Sequence, residues 1–188
     1  MKNLILKSYH DEFCVIDNDS DFLNIRFKFG VIKSLSWKED ITDVEIPINE
    51  TASCYPFFKK NKIVVLFNNQ PEFAKRGNMV IFKGDGTIFK RLTPPCFIHP
   101  MSISFIEQHL KKNKISMDNV KPVFGGIYDL EKIDGREYLH VILDEEIIFK
   151  HTHFFEERAL DITTGEWHPT WRKFSDPNAK QGWGEIYD

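Results

Sequence analysis

The sequence predicts a mainly β fold: an antiparallel meander, sandwich or partly open barrel with one α-helix near 104–113. A β-rich α+β fold is the second choice. Three observations lead there. Isoleucine and valine together number 30, against 15 for leucine and alanine, and 17 phenylalanines join them; β-branched and aromatic side chains suit a pleated surface. Apolar residues alternate or run in blocks of strand length, with the helical period confined to one stretch. Turn signals recur along the chain at Gly84-Asp85-Gly86, Asp134-Gly135 and Thr164-Gly165. With 188 residues, 41% of them hydrophobic and 28% charged, the expectation is one β-rich domain over 1–188, soluble and ordered.

The elements follow in order. Leu4-Ile5-Leu6 lies between lysines, too short an apolar run for a secretory signal, so the start reads as a first strand. Leu23, Ile25, Phe27 and Phe29 alternate with Phe22, Asn24, Arg26 and Lys28, the period of a half-buried strand. Ile63 to Phe67 is continuously apolar, which suits a strand covered on both faces. Residues 78–83 and 87–92 flank Gly84-Asp85-Gly86 as a hairpin, and Pro94-Pro95 ends the ladder. A short helix is expected near Glu72–Lys75.

For the main helix, Ser104 and Glu107 have capping-box spacing, and Phe105, Ile106, His109 and Leu110 make an apolar stripe. Asn113 suits its end. After residue 120 a meander is expected, with strands near 137–143, 146–155, 158–163 and 165–171 and a turn at Asp144-Glu145. Residues 175–188 read as a turn-rich stretch over the surface.

Cys14, Cys54 and Cys96 are odd in number and form no CxxC pair, which points to reduced thiols and a cytoplasmic protein. The net charge of −3 is unevenly spread. Residues 1–58 carry −4, 59–121 carry +8, 122–143 carry −2 and 144–188 carry −5. The basic block includes Lys59, Lys60, Lys62, Lys90, Arg91, Lys111, Lys112 and Lys114, in separate short clusters that the acidic segments can neutralise. No nucleic-acid-binding motif accompanies it, so neither nucleic acid nor a membrane is expected as a partner.

Little points to catalysis. There is no GxSxG elbow, each cysteine sits in or beside an apolar stretch, and Gly84-Asp85-Gly86 lacks the spacing of a phosphate loop. No catalytic residue is assigned. The sharpest local feature is His151-Thr152-His153 with Glu157 four residues on. On a strand the two imidazoles would share a face, Glu157 has the parity to join them, and His168 could add a third nitrogen for zinc, iron or manganese. Alternatively, the pair continues the apolar face of Ile147, Phe149 and Phe155 to its wetter rim.

A second feature is the C-terminal aromatics. Trp167, Trp171 and Trp183 fall within 17 residues, beside Asp144, Glu145, Glu146, Glu156, Glu157 and Asp161. Tryptophans are frequent interface anchors, and the acids would favour a basic partner protein. The same rings could instead plug one end of the sheet core.

Three resemblances follow from the sequence. His151, His153 and Glu157 resemble the first metal-binding motif of the cupin family, with Glu145 where that motif has its leading glycine and without its second motif downstream. That implies a metal-dependent enzyme or small-ligand binder. The phrases from Gly77 to Thr87 and from Leu160 to Glu166 look like those of small bacterial β-meander proteins. A small acidic chain rich in Ile, Lys and Asn, with no catalytic motif, also resembles in kind the immunity proteins of bacterial toxin–immunity systems. This implies tight binding to one toxin by occluding its active site or an essential surface. The leading expectation is therefore a non-enzymatic, cofactor-free binding protein whose partner is a basic toxin domain; the cupin-like reading is the alternative.

Overall fold

Side-chain alternation builds the first sheet: Leu4 and Leu6 are buried while Ile5 between them faces out, the period of two that a pleated strand imposes. The computed structural model describes residues 1–8, 10, 12–19, 22, 31–68, 77–114, 116, 121–145, 156–176 and 184–187, with 145, 171–176 and 184–187 described by backbone alone. They fall into two compact units, Met1–Thr93 and Pro94–Asp188.

The first unit is an eight-stranded antiparallel sheet. Its strands are β1 (Lys2–Ser8), β2 (Phe13–Ile16), β3 (Ile32–Glu39), β4 (Thr42–Ile46), β5 (Thr51–Phe57), β6 (Lys62–Asn68), β7 (Met79–Lys83) and β8 (Ile88–Leu92). They run in the order β2-β1-β3-β5-β6-β7-β8, with β4 also on β3. The fork lies within β3, whose Ile32 pairs with Ala52 of β5 while Leu35 to Glu39 pair with β4. Ile63 to Phe67 of β6 are all buried, as a strand covered on both faces requires.

The Gly84-Asp85-Gly86 hairpin forms where its glycines predict. Gly86 has φ +81° and a Cβ there would stand 2.6 Å from Val44 Cγ1, so both backbone and packing demand glycine. Asp85 Oδ1 accepts the Thr87 N–H at 2.9 Å, an Asx turn. Trp37, buried beneath, donates Nε1–H to the Gly84 carbonyl at 2.5 Å. The expected strand over 23–29 and the short helix near Glu72–Lys75 lie outside the described residues.

The second unit carries α1 (Pro100–Asn113) and a five-stranded meander of β9 (Pro122–Ile133), β10 (Arg136–Glu145), β11 (Glu156–Asp161), β12 (Glu166–Asp176) and β13 (Gly184–Tyr187), in the order β13-β12-β11-β10-β9. The fold is mostly antiparallel β in two sheets, neither closed, with a single α-helix among the described residues. Asp134 and Gly135 both have positive φ, the backbone of a two-residue hairpin turn.

Three boundaries differ from expectation. α1 starts four residues early because Pro100 fits the first turn and His99 caps it, its Nδ1 accepting the Met101 N–H at 3.1 Å. Ser104 is thus inside the helix, its Oγ accepting Gln108 Nε2–H at 3.2 Å, and the cap beyond the far end is Lys114, left-handed at φ 56°. Asp144 and Glu145 continue β10 instead of turning, since both pair with β9. Gly184–Tyr187 adds an edge strand on β12 where surface loop was expected. The expected strand over 146–155 lies outside the described residues.

Candidate functional site

Register places three ionisable side chains in a row across β9, β10 and β11. His140 lies opposite Ala159, and Glu157, on the same face, lies opposite Ile142; Glu131 of β9 pairs with Tyr138. His140 Nδ1 stands 3.1 Å from Glu157 Oε2, and Nε2 stands 2.8 Å from Glu131 Oε2. His140 and Glu157 are buried and Glu131 is half-buried. Burial opposes a charge on the ring, but hydrogen bonds to Glu157 and Glu131, together with their negative charges, outweigh it and raise the imidazole above its ordinary 6.5. An imidazolium donating to both carboxylates satisfies all three groups. Chemically the row is a clamp across three strands.

The other face of β11 holds a second polar group. Glu156, fully buried, accepts the backbone N–H of Ile98 at 3.1 Å and that of His99 at 3.1 Å. Arg158 donates to the carbonyls of Cys96 at 2.8 Å and His168 at 3.2 Å, and its Nη1 stands 3.8 Å from Glu156 Oε1. Burial lowers the guanidinium pKa and the Glu156 charge works against that. These contacts fasten the segment leading into α1 to the sheet.

Asp144 is 7% exposed and packs against Gly125, where a Cβ would collide with Oδ2. Its Oδ1 has no hydrogen-bond partner among the described residues, and burial pushes the carboxyl up to about 7. Asp161 is half-buried and turns the β11–β12 hairpin, its Oδ1 accepting the Thr163 N–H at 2.7 Å. Trp167 is half-buried and stacks on buried Phe124, ring centroids 6.0 Å apart. The Trp171 backbone pairs with Arg158. The side chains of Glu145 and Trp171, and the whole of Glu146, His151, His153 and Trp183, lie outside the described residues.

Of the acids read from the sequence as a partner surface, Asp144, Glu156 and Glu157 therefore point into the unit, and two of them are held by internal partners. Of the metal set, Glu157 is bonded to His140, while His168 Nδ1 lies 2.9 Å from Thr170 Oγ1 and its ring stands edge-on to Tyr138 at 5.2 Å. No group of three or more His, Cys, Asp or Glu able to hold a metal ion occurs among the described residues. No disulfide joins Cys14, Cys54 and Cys96, and burial pushes the Cys54 thiol up to about 12, which leaves it a poor nucleophile at neutral pH.

In the first unit, two surface features stand out. The outward face of β1 and β2 exposes Ile5, Phe13 and Val15, a patch that no local sequence pattern marks. At the turn end of the sheet, a cavity of about 320 Å³ is lined by Glu39, Lys60, Lys62, Lys83, Asp85 and Phe89, among others. Its charges are mixed, and Lys62 Nζ already stands 3.4 Å from the Phe89 ring centroid, so its aromatic wall is taken by a cation.

Among the described residues, no helix is long and apolar enough to cross a membrane. No family model matches the sequence, and no curated protein matches it. A solved structure, that of Tne2 in complex with Tni2, contains a chain of similar fold, with a TM-score of 0.56 and 6% identity over 91% of this chain and 97% of that one. At that identity the likeness is one of fold alone.

Proposed function

We propose that this chain is a non-enzymatic, cofactor-free binding protein that neutralises a toxin by covering its active site or an essential surface. The observation that carries the reading is the fold likeness across 91% of the chain to a protein solved in a two-protein complex. The charged groups of the second unit support it. Glu156, Glu157, Arg158 and His140 bond to one another and to backbone, an arrangement that rigidifies a sheet and leaves few of these groups for a substrate. A sheet held in this way is ordered before it binds, so association costs little conformational entropy. The net charge of −3 favours encounter with a basic toxin domain.

The test is co-expression with the product of the adjoining open reading frame. Under this reading the two proteins form a stable complex, and growth arrest caused by the partner alone is relieved. A partner that arrests growth equally with and without this chain, and shows no complex by calorimetry, overturns it.

A further inference from the structure

We infer that the toxin docks on the outward face of β1 and β2, and that it brings there an apolar strip bordered by lysine and arginine. This rests on the toxin-neutralising reading above. The inner face of the two strands is ordinary core: Leu4, Leu6 and Ile16 are at most 1% exposed. The outer face is not ordinary surface. Phe13 is 66% exposed, Val15 59% and Ile5 36%. Register makes them neighbours, since Ile5 pairs with Val15 and Lys7 with Phe13. Lys7 Nζ lies over the Phe13 ring, 5.1 Å from its centroid, a cation–π contact at the border of the patch. Next to them Ser36 pairs with Ile5 and Ser34 with Lys7, small side chains that leave the large ones standing proud.

Singly exposed apolar residues need no explanation, but a contiguous set does. The same sheet supplies the contrast. On β4 the outward positions are Asp43 and Glu45, both exposed, the polar choice that keeps an outlying strand from sticking to other chains. Among the described residues β2 ends the strand path, yet it carries Phe13 and Val15 outward. An aromatic ring ringed by smaller groups is the usual form of an interface anchor.

The charge around the patch selects the occupant. Glu12 and Asp17 bracket β2 and are exposed, as are Asp43 and Glu45. Against these four acids stand three lysines, exposed Lys2 and Lys38, which pair in register, and half-buried Lys7. Lys38 bonds to Asp43 at 3.7 Å, so the border keeps a small acidic excess. A second copy docked about a two-fold axis would set this acidic border against itself. A partner with basic residues around an apolar strip meets complementary charge.

The test titrates the purified product of the adjoining reading frame against the full chain and its variants. Phe13→Glu with Val15→Glu should weaken binding by about a hundredfold or more and leave the unfolding midpoint unchanged. Phe13→Thr with Val15→Thr keeps strand propensity and serves if the first variant misfolds. Glu12→Lys with Glu45→Lys should slow association by about tenfold at low salt and less at high salt. A wild-type complex whose affinity neither apolar variant alters overturns the surface and leaves the neutralising function standing. A wild-type chain that binds nothing overturns both. A wild-type dimer in sedimentation that Phe13→Glu with Val15→Glu dissolves makes the face a contact between copies and overturns the toxin as its occupant.

Discussion

Glu156 Oε2 accepts the backbone N–H of His99 at 3.1 Å, and His99 is the residue whose Nδ1 caps α1. One carboxylate from the middle of a sheet thus fixes where a helix begins. It also stands 3.8 Å from buried Arg158, so removing it would orphan two backbone donors and leave a guanidinium without its counter-charge. Glu156→Ala should cost about 3 kcal/mol or more of stability, read as a lower urea midpoint. Glu156→Lys should prevent folding. Charge reversal here tests the fold before it tests any partner, and a variant of unchanged stability would show that the carboxylate does not support α1.

How much of this was legible beforehand varied with how local the cause was. The Gly84-Asp85-Gly86 hairpin and the buried Ile63–Phe67 strand could be read because turn chemistry and an unbroken apolar run are written in adjacent residues. The α1 start was missed although Pro100 follows His99 in plain view; the capping-box spacing of Ser104 and Glu107 competed and Pro at the first turn won. Glu156 and Glu157 looked like surface acids because side by side they resemble any exposed pair. Their burial depends on partners 57 and 17 residues away, which no local pattern encodes. One signal was available: His140 alternates with Leu139 and Val141 in a strand, a position where a histidine needs a partner on both sides.

His140 gives a pH prediction. Its folded pKa is raised above the ordinary 6.5, so the protonated clamp contributes fully below about 6.5 and the contribution is lost as pH rises through the folded value. Stability should therefore fall on going from pH 6 toward pH 8. Glu157→Gln should lower the His140 titration midpoint followed by NMR and flatten that fall. A midpoint unchanged by the substitution would show that Glu157 does not act on the ring.

Gly86 should tolerate no side chain. With φ +81° and Val44 Cγ1 only 2.6 Å from an added Cβ, Gly86→Ala combines backbone strain with a clash, for a loss of about 1–3 kcal/mol. Gly135 has φ +78° and nothing within 4 Å, so Gly135→Ala should cost less. Paired urea titrations separate the two; equal losses would show that Val44 yields freely and that the backbone alone decides.

Metal content discriminates the binding reading from the cupin-like one. Glu157 already bonds to His140, and His168 Nδ1 lies 2.9 Å from Thr170 Oγ1. A metal drawing on both would have to break these contacts. Protein purified without added metal should carry well under one equivalent of zinc, iron or manganese by mass spectrometry. A stoichiometric metal lost on replacing His151 and His153 with alanine would promote the alternative.

Asp144 should make the protein less stable as pH rises from about 4 to about 7. Its carboxyl is pushed from 3.8 up to about 7 by burial, so the folded chain holds a proton that the unfolded chain releases. Stability then declines between about pH 4 and pH 7, and above that the fold carries a buried charge whose Oδ1 has no partner among the described residues. Asn is close to Asp in size and cannot ionise. Asp144→Asn should therefore unfold at a higher urea concentration than wild type at pH 8, with the advantage shrinking or reversing at pH 5, a differential of the order of a few kcal/mol. The packing against Gly125 makes a complementary variant informative: Gly125→Ala would force the carboxyl outward into water, and the pH dependence should fade with it. If Asp144→Asn shows the same slope as wild type from pH 5 to pH 8, the carboxyl is ionised throughout and its burial is not what sets its proton affinity.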